Sequence, residues 1–218
     1  MSRMRQTVAR LMTQSKRDAP HFYVNMEIDM EKAVGLLEVA NENRGQRISA
    51  TALMVAALSE ALAEHPALNS LMVDGVPTPQ QEISVGVAVA TDAGLIAPAL
   101  LDCGGTGLED VSLALTDLVQ RARSGRLKGR ELAGPTFTLS NLGMYDVASF
   151  IAIINPPQVG ILATGRIEER VIARGGVPAV SRGMTATLSA DHRAVNGDEA
   201  AAFLKGFRDL LEAPEGFF

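Results

Sequence analysis

Ser189-Ala190-Asp191-His192-Arg193-Ala194-Val195-Asn196-Gly197-Asp198 joins an apolar run to a segment with helical spacing. The run before it, Ala179 to Ala190, reads as a strand, and Gly197 to Leu211 reads as the last helix. A strand that passes straight into a helix points to an α/β protein. It also aims a histidine at the joint with rigid elements on both sides. An imidazole there, with an unperturbed pKa near neutrality, can take and return a proton at working pH. Asp191, Arg193 and Asn196 set three polar groups around His192, and Gly197 allows a tight turn into the helix. The same pattern also suits a histidine that caps a strand end and hydrogen-bonds locally.

The segments upstream repeat this mixture. Met1 to Arg17 reads as a helix with Met4, Val8, Leu11 and Met12 on one face, ended by Pro20. His21 to Ile28 alternates as a strand, and a helix follows from Met30 to about Asn43. Asn41 to Arg47 is a polar loop. Ser49 can cap a helix that runs to Glu64, and Pro66 stops it. Ile83 to Ala90 and Leu95 to Leu101 read as strands around the turn Thr91-Asp92-Ala93-Gly94, and Leu108 to Ser124 as an amphipathic helix. Thr136 to Ser140 and Val159 to Ile167 are further strands. Interspersed helices and hairpins predict a two-layer α/β sandwich with a mixed sheet, not a doubly wound parallel one. No internal repeat or low-complexity linker interrupts the chain, so a single domain over 1–218 is expected.

Composition narrows the function. Of 218 residues, 47% are hydrophobic and 21% charged, which is the balance of a globular protein. A net charge of -5 argues against a nucleic-acid surface. The one cysteine, Cys103, cannot form an internal disulfide, and no apolar run is long enough to span a membrane, so a soluble cytoplasmic protein is expected. The 3 histidines, far apart, with a lone cysteine, offer no metal-ligand spacing. No glycine-rich loop opens a helix after a strand, so nucleotide-binding readings fail.

A second candidate site is Thr136-Phe137-Thr138-Leu139-Ser140-Asn141-Leu142-Gly143. Alternation puts Thr136, Thr138 and Ser140 on one face. That face either meets solvent, as in many antiparallel sheets, or offers the Ser140 hydroxyl to a buried polar site. No nucleophile elbow surrounds Ser140, so a nucleophilic serine is not expected. Asn155-Pro156-Pro157-Gln158 reads as a rigid approach to a strand, His65 as a helix C-terminal cap, and His21 as structural. Arg3, Arg5, Arg10, Lys16 and Arg17 form a modest basic cluster.

Taken together these segments resemble the catalytic domain of the dihydrolipoamide acyltransferases, the E2 components of 2-oxo acid dehydrogenase complexes. The similarity starts at Thr7-Val8-Ala9-Arg10-Leu11-Met12 with Ser15-Lys16 and Pro20-His21-Phe22. It continues through Val85 to Pro98, Thr136 to Gly143, and Ile153-Ile154-Asn155-Pro156-Pro157-Gln158. Ile161-Leu162 and Gly165-Arg166-Ile167 come next, and it ends on Asp191-His192-Arg193, Asn196-Gly197 and the last helix. The resemblance implies a chloramphenicol acetyltransferase-like fold and a homotrimer with active sites between subunits, assembling further into a cubic or dodecahedral core. It implies acyl transfer between dihydrolipoamide and coenzyme A, with acetyl favoured by Ser140-Asn141-Leu142-Gly143-Met144. His192 of one subunit would be the general base on the thiol, facing the Ser140 hydroxyl of its neighbour as oxyanion donor. The implied partners are a lipoyl domain and the E1 and E3 components, with no metal, nucleic acid or membrane.

Two departures accompany the resemblance. The position four after the histidine is most often Asp in the family and is Asn196 here, so it can hold a hydrogen bond but supplies no charge. No lipoyl or peripheral-subunit-binding segment is recognised, so the lipoyl group is expected from a separate domain or chain. Arg5, Arg10 and Lys16 are candidate coenzyme A phosphate contacts, against the alternative of solvated side chains on a helix. Two other functions remain open at this level: a structural trimeric scaffold with weak activity, and a stand-alone coenzyme A-dependent acetyltransferase.

Overall fold

The basic, amphipathic N-terminus forms helix α1 (Arg3–Asp18). Pro20 follows, and the alternating segment pairs as strand β1 (His21–Asp29). The structure is a computed structural model that describes every residue except Met1, Ser2, Asn43, Arg44, Gln46 and Ala93, and leaves the side chains of Arg3 and Met4 undescribed. The expected starts of the first helix at Met1 and Ser2, the Met4 side chain on its apolar face, part of the 41–47 loop and Ala93 of the 91–94 turn therefore lie outside the described residues.

Helix α2 (Glu31–Asn41) precedes α3 (Ala50–Glu64), where the Ser49 hydroxyl accepts the Ala52 N–H at 3.1 Å as its spacing predicts. A hairpin follows, β2 (Ser70–Val73) and β3 (Val76–Pro79). The two strands expected around residues 91–94 are each broken in two. They become β4 (Val85–Val87) and β5 (Val89–Thr91), then β6 (Gly94–Ile96) and β7 (Ala99–Leu100). Pro98 has no N–H for the ladder, while its carbonyl accepts the Val87 N–H at 3.0 Å. At this break β5 and β6 leave the main sheet as a separate ribbon.

Helices α4 (Leu108–Arg123) and α5 (Gly129–Ala133) lead to β8 (Phe137–Asn141). Then come β9 (Gly160–Thr164), β10 (Glu168–Arg174), β11 (Val177–Asp191) and α6 (Gly197–Glu212). The 7-stranded sheet has the order β1-β11-β9-β8-β4-β7, with β10 beside the far half of β11. The three inner strands β9, β8 and β4 run parallel and the others antiparallel, so the sheet is mixed as expected.

One face carries Phe137, Leu139, Leu162 and Leu188, all fully buried against Leu53 and Leu58 of α3 and Phe203 and Phe207 of α6. The rings of Phe137 and Phe203 lie 5.7 Å apart. The opposite face is covered by the long connection between β8 and β9. There the Ser189 hydroxyl donates to Ala152 O at 2.7 Å and the Ser15 hydroxyl to Ile154 O at 2.6 Å. The connection is thus sewn both to the sheet and to the end of α1.

Candidate functional site

His192 follows the last pair of the β1–β11 ladder, His21 opposite Asp191. Its N–H donates to Pro20 O at 3.0 Å, and its ring lies 4.6 Å from the Phe22 ring at a tilt of 44°. The histidine is exposed in the single chain. It therefore has a backbone fixed from two sides, an aromatic wall and an open approach. Asp191 and Arg193, which the sequence sets around His192, bind each other instead, with Nη2 to Oδ2 at 2.6 Å. Asn196 is the N-cap residue of α6, its N–H donating to Glu199 Oε2 at 2.7 Å, with an exposed side chain.

Ser140 sits near the end of β8, half-buried, with no hydrogen-bond partner for its hydroxyl among the described residues. The face it shares with Thr136 and Thr138 does not meet solvent. Thr136 is 6% and Thr138 1% exposed. The Thr136 hydroxyl donates to Asn69 Oδ1 at 2.6 Å. The Thr138 hydroxyl donates to Gln158 Oε1 at 2.7 Å and accepts from Asn155 Nδ2 at 3.2 Å. Buried hydroxyls on a parallel strand deep in the sheet need partners, and Asn69 supplies one for Thr136 while the Asn155-to-Gln158 turn supplies those of Thr138. Those two amides, read from sequence as flanks of a purely architectural turn, complete the network beneath Ser140. The available signal was their position beside two prolines, next to a strand with hydroxyls on one face.

The sheet register keeps Ser140 and His192 apart within one chain. Ser140 lies opposite Ala163, which lies opposite Thr187. His192 is five residues further along β11, roughly 17 Å at about 3.3 Å per residue, and two strands across. Phe22, beside His192, packs on the helix-side core, whereas Ser140 faces the other layer. One chain cannot bring both groups to the same reacting carbon.

His21, expected to be structural, has both ring nitrogens engaged: Nδ1 lies 2.8 Å from Ala19 O, and Nε2 accepts the Ile154 N–H at 3.2 Å. His65 is the C-cap residue of α3 through its backbone, and its ring meets Phe203 edge-on at 5.9 Å. Arg10 lines a shallow depression on α1 with Ala9, Thr13, Gln14 and Arg17. Lys16 turns the other way, bonding the Tyr23 hydroxyl with its ammonium 5.1 Å from that ring's centre. Arg5 is exposed on the same helix. Burial pushes the Cys103 thiol up, so it is protonated and inert near neutrality. Among the described residues no three histidine, cysteine or acidic side chains cluster to hold a metal, and no helix is long and apolar enough to cross a membrane.

Comparison with known proteins agrees with this architecture. The model of the 2-oxoacid dehydrogenases acyltransferase catalytic domain matches residues 1–218. The acetyltransferase component of the Caenorhabditis elegans mitochondrial pyruvate dehydrogenase complex is 38% identical over 98% of this chain and 44% of its own length. The corresponding Zymomonas mobilis component is 36% identical over 99% of this chain and 50% of its own. The chain thus spans about half the length of the curated relatives it matches. Among solved structures, Azotobacter vinelandii dihydrolipoamide acetyltransferase superposes with a TM-score of 0.93 at 26% identity, covering 100% of this chain and 91% of that one. In that enzyme a serine, a histidine and an asparagine have been studied for their role in the catalytic mechanism. A cubic core of the pyruvate dehydrogenase multienzyme complex gives the same TM-score of 0.93, identity of 26%, and coverage of 100% and 91%. Chloramphenicol acetyltransferase, at a TM-score of 0.59 and 13% identity over 93% of this chain and 94% of that one, shares the fold. The chain belongs to the acyltransferase catalytic-domain family of the 2-oxoacid dehydrogenases.

Proposed function

We propose that this chain transfers an acyl group, acetyl first among candidates, between dihydrolipoamide and coenzyme A as the core of a pyruvate or related dehydrogenase complex. The observation that carries the reading is the pair His192 and Ser140, one exposed at the end of β11 and the other unpartnered on β8. In the Azotobacter enzyme the serine, histidine and asparagine are spaced by 52 and then four residues, the spacing of Ser140, His192 and Asn196. That enzyme also carries an amide at the last position, which supports a positional role for Asn196 without a charge.

A thiol of ordinary pKa is only a few per cent ionised at neutral pH. His192 takes the proton from the attacking thiol as sulfur bonds to the thioester carbonyl carbon. The carbonyl oxygen becomes an oxyanion that accepts a hydrogen bond from the Ser140 hydroxyl. Collapse expels the second thiolate, which recovers the proton from His192. Both substrates are thiols, so no acyl-enzyme is required. The separation of the two side chains within one chain supports a homotrimer in which each site takes His192 from one subunit and Ser140 from its neighbour. The cubic core with which the chain superposes supports assembly of trimers into a larger particle. Of Arg5, Arg10 and Lys16, Arg10 at the α1 depression offers charge for coenzyme A phosphates, whereas Arg17 beside it is paired with Asp18 at 2.7 Å. The lipoyl group would arrive on another domain or chain, with E1 and E3 components as further partners. The single buried thiol suits a reducing compartment.

Release of free thiol from acetyl-coenzyme A and dihydrolipoamide tests the activity, and succinyl and branched donors test the acyl group. His192→Ala should lower kcat by about 10² to 10⁴, and activity that survives it overturns the general-base assignment. Co-assembly of His192→Ala chains with Ser140→Ala chains tests the sharing. Random mixing should restore about a quarter of wild-type activity, because that share of interfaces recovers both groups. No recovery in co-assembled particles overturns the shared site.

A further inference from the structure

The carboxylate immediately before His192 is the unusual charge in this region. Asp191 is 2% exposed while the histidine beside it is open. A carboxylate at that depth needs full pairing. Arg193 provides it from the other side of the histidine: its N–H donates to Oδ1 at 3.0 Å, Nε to Oδ1 at 3.0 Å and Oδ2 at 3.1 Å, and Nη2 to Oδ2 at 2.6 Å. Residues 191 and 193 are thereby tied to each other across residue 192. The backbone continues the restraint. Asp191 N–H donates to Val159 O at 2.9 Å, and its carbonyl accepts the N–H groups of Ala194 and Val195 at 3.0 and 3.1 Å. Asp18, at the end of α1, adds a second negative charge that acts on Arg193.

We propose that Asp191 and Arg193 are positioning residues that clamp the turn carrying His192, fixing the direction in which its imidazole meets the thiol. The carboxylate does this without touching the imidazole, unlike the acid of a serine-protease triad, which bonds the histidine ring directly. Both Asp191 oxygens are spent on the guanidinium and backbone, and the ring itself rests on Phe22. The clamp needs the two-pronged geometry of arginine, since a lysine ammonium is a point charge that cannot engage both oxygens in one plane. A rotation of the turn displaces the ring, and a displacement of about 1 Å is enough to cost 10²-fold in rate.

The inference rests on His192 being the general base, so His192→Ala is measured beside the clamp variants. Arg193→Lys should lower kcat by about 10- to 100-fold, with KM for coenzyme A and dihydrolipoamide changed by less than about twofold. Asp191→Asn combined with Arg193→Gln removes the buried carboxylate's charge together with its more exposed partner. It should recover most of the melting temperature lost by Arg193→Gln alone while kcat stays low. In a His192→Ala background, Arg193→Lys should leave the residual rate unchanged, because nothing remains to be aimed. If His192→Ala is itself fully active, the reading of the base is wrong. If His192→Ala is inactive while Arg193→Lys keeps wild-type kcat, or Arg193→Lys lowers the residual rate equally without His192, the clamp is wrong and the base stands.

Discussion

At the scale of single residues, position four after the histidine separates a charge role from a positional one. Asn196 opens α6, where it is exposed and close to the helix dipole's positive end. Asn196→Asp keeps a good capping residue and adds a favourable charge, so melting should not fall, and kcat should stay within about threefold if the residue is positional. Asn196→Ala should cost about 0.5–2 kcal/mol of stability, read as a lower melting temperature. Ser140→Ala should lower kcat by about 10² to 10³ with the fold intact. His192 and Ser140 stand out in the sequence as candidates because each sits at an element end with polar neighbours. The engagement of Asp191 with Arg193 was not, since sequence spacing places three groups near the histidine without saying which bonds which.

Elements are held by close backbone approaches as much as by their apolar faces. At Gly165, just past β9, a Cβ would stand 1.9 Å from Ala148 O in the connection that covers the sheet. A backbone oxygen tied into that connection cannot step aside, so Gly165→Ala should cost at least about 1–3 kcal/mol and lower melting by several degrees. Gly35 in α2 meets nothing within 4 Å. Gly35→Ala should therefore stabilise by about 0.5–1 kcal/mol, by removing flexibility from the unfolded chain. Differential scanning calorimetry reads both, with opposite signs. Long periodic elements such as α3, α4 and α6 were readable from spacing. The hairpins β2–β3 and β10–β11 were missed, although the positive-φ pairs Asp74-Gly75 and Gly175-Gly176 are the turn signal for them.

Over the whole molecule, one buried ion pair predicts the acid response. Glu131 of α5 is 6% exposed and accepts Arg121 Nη1 of α4 at 2.7 Å and Lys128 N–H at 2.6 Å. The guanidinium bond, then the backbone donor, holds its carboxyl below the usual carboxylate range. A depressed folded pKa means this contribution is complete above the unfolded value of 4.5 and is lost as pH falls through the folded value. Glu131→Gln should cost about 1.5–3 kcal/mol at pH 7, and the gap from wild type should narrow toward about pH 3. Urea midpoints at the two pH values measure it, and a gap independent of pH contradicts the assignment. Met144, Tyr145 and Ile151 are 72%, 61% and 57% exposed along the connection that follows β8. These are large apolar side chains to leave in water, and the proposed trimer would give them a surface to pack against.

The sequence by itself determined the class of the fold and the candidate residues whose side chains can move a proton or donate a hydrogen bond. Those follow from periodicity, breakers and side-chain chemistry, which are local. Tertiary structure decided that the Thr136–Thr138 face is buried, that Asn69 pairs Thr136 while Asn155 and Gln158 pair Thr138, and that Asp191 spends its charge on Arg193. It also decided that Ser140 and His192 stand far apart on different strands of one sheet. Those depend on register and on which distant segments pack together, and strand register is fixed by pairings between residues far apart along the chain, which no local pattern encodes.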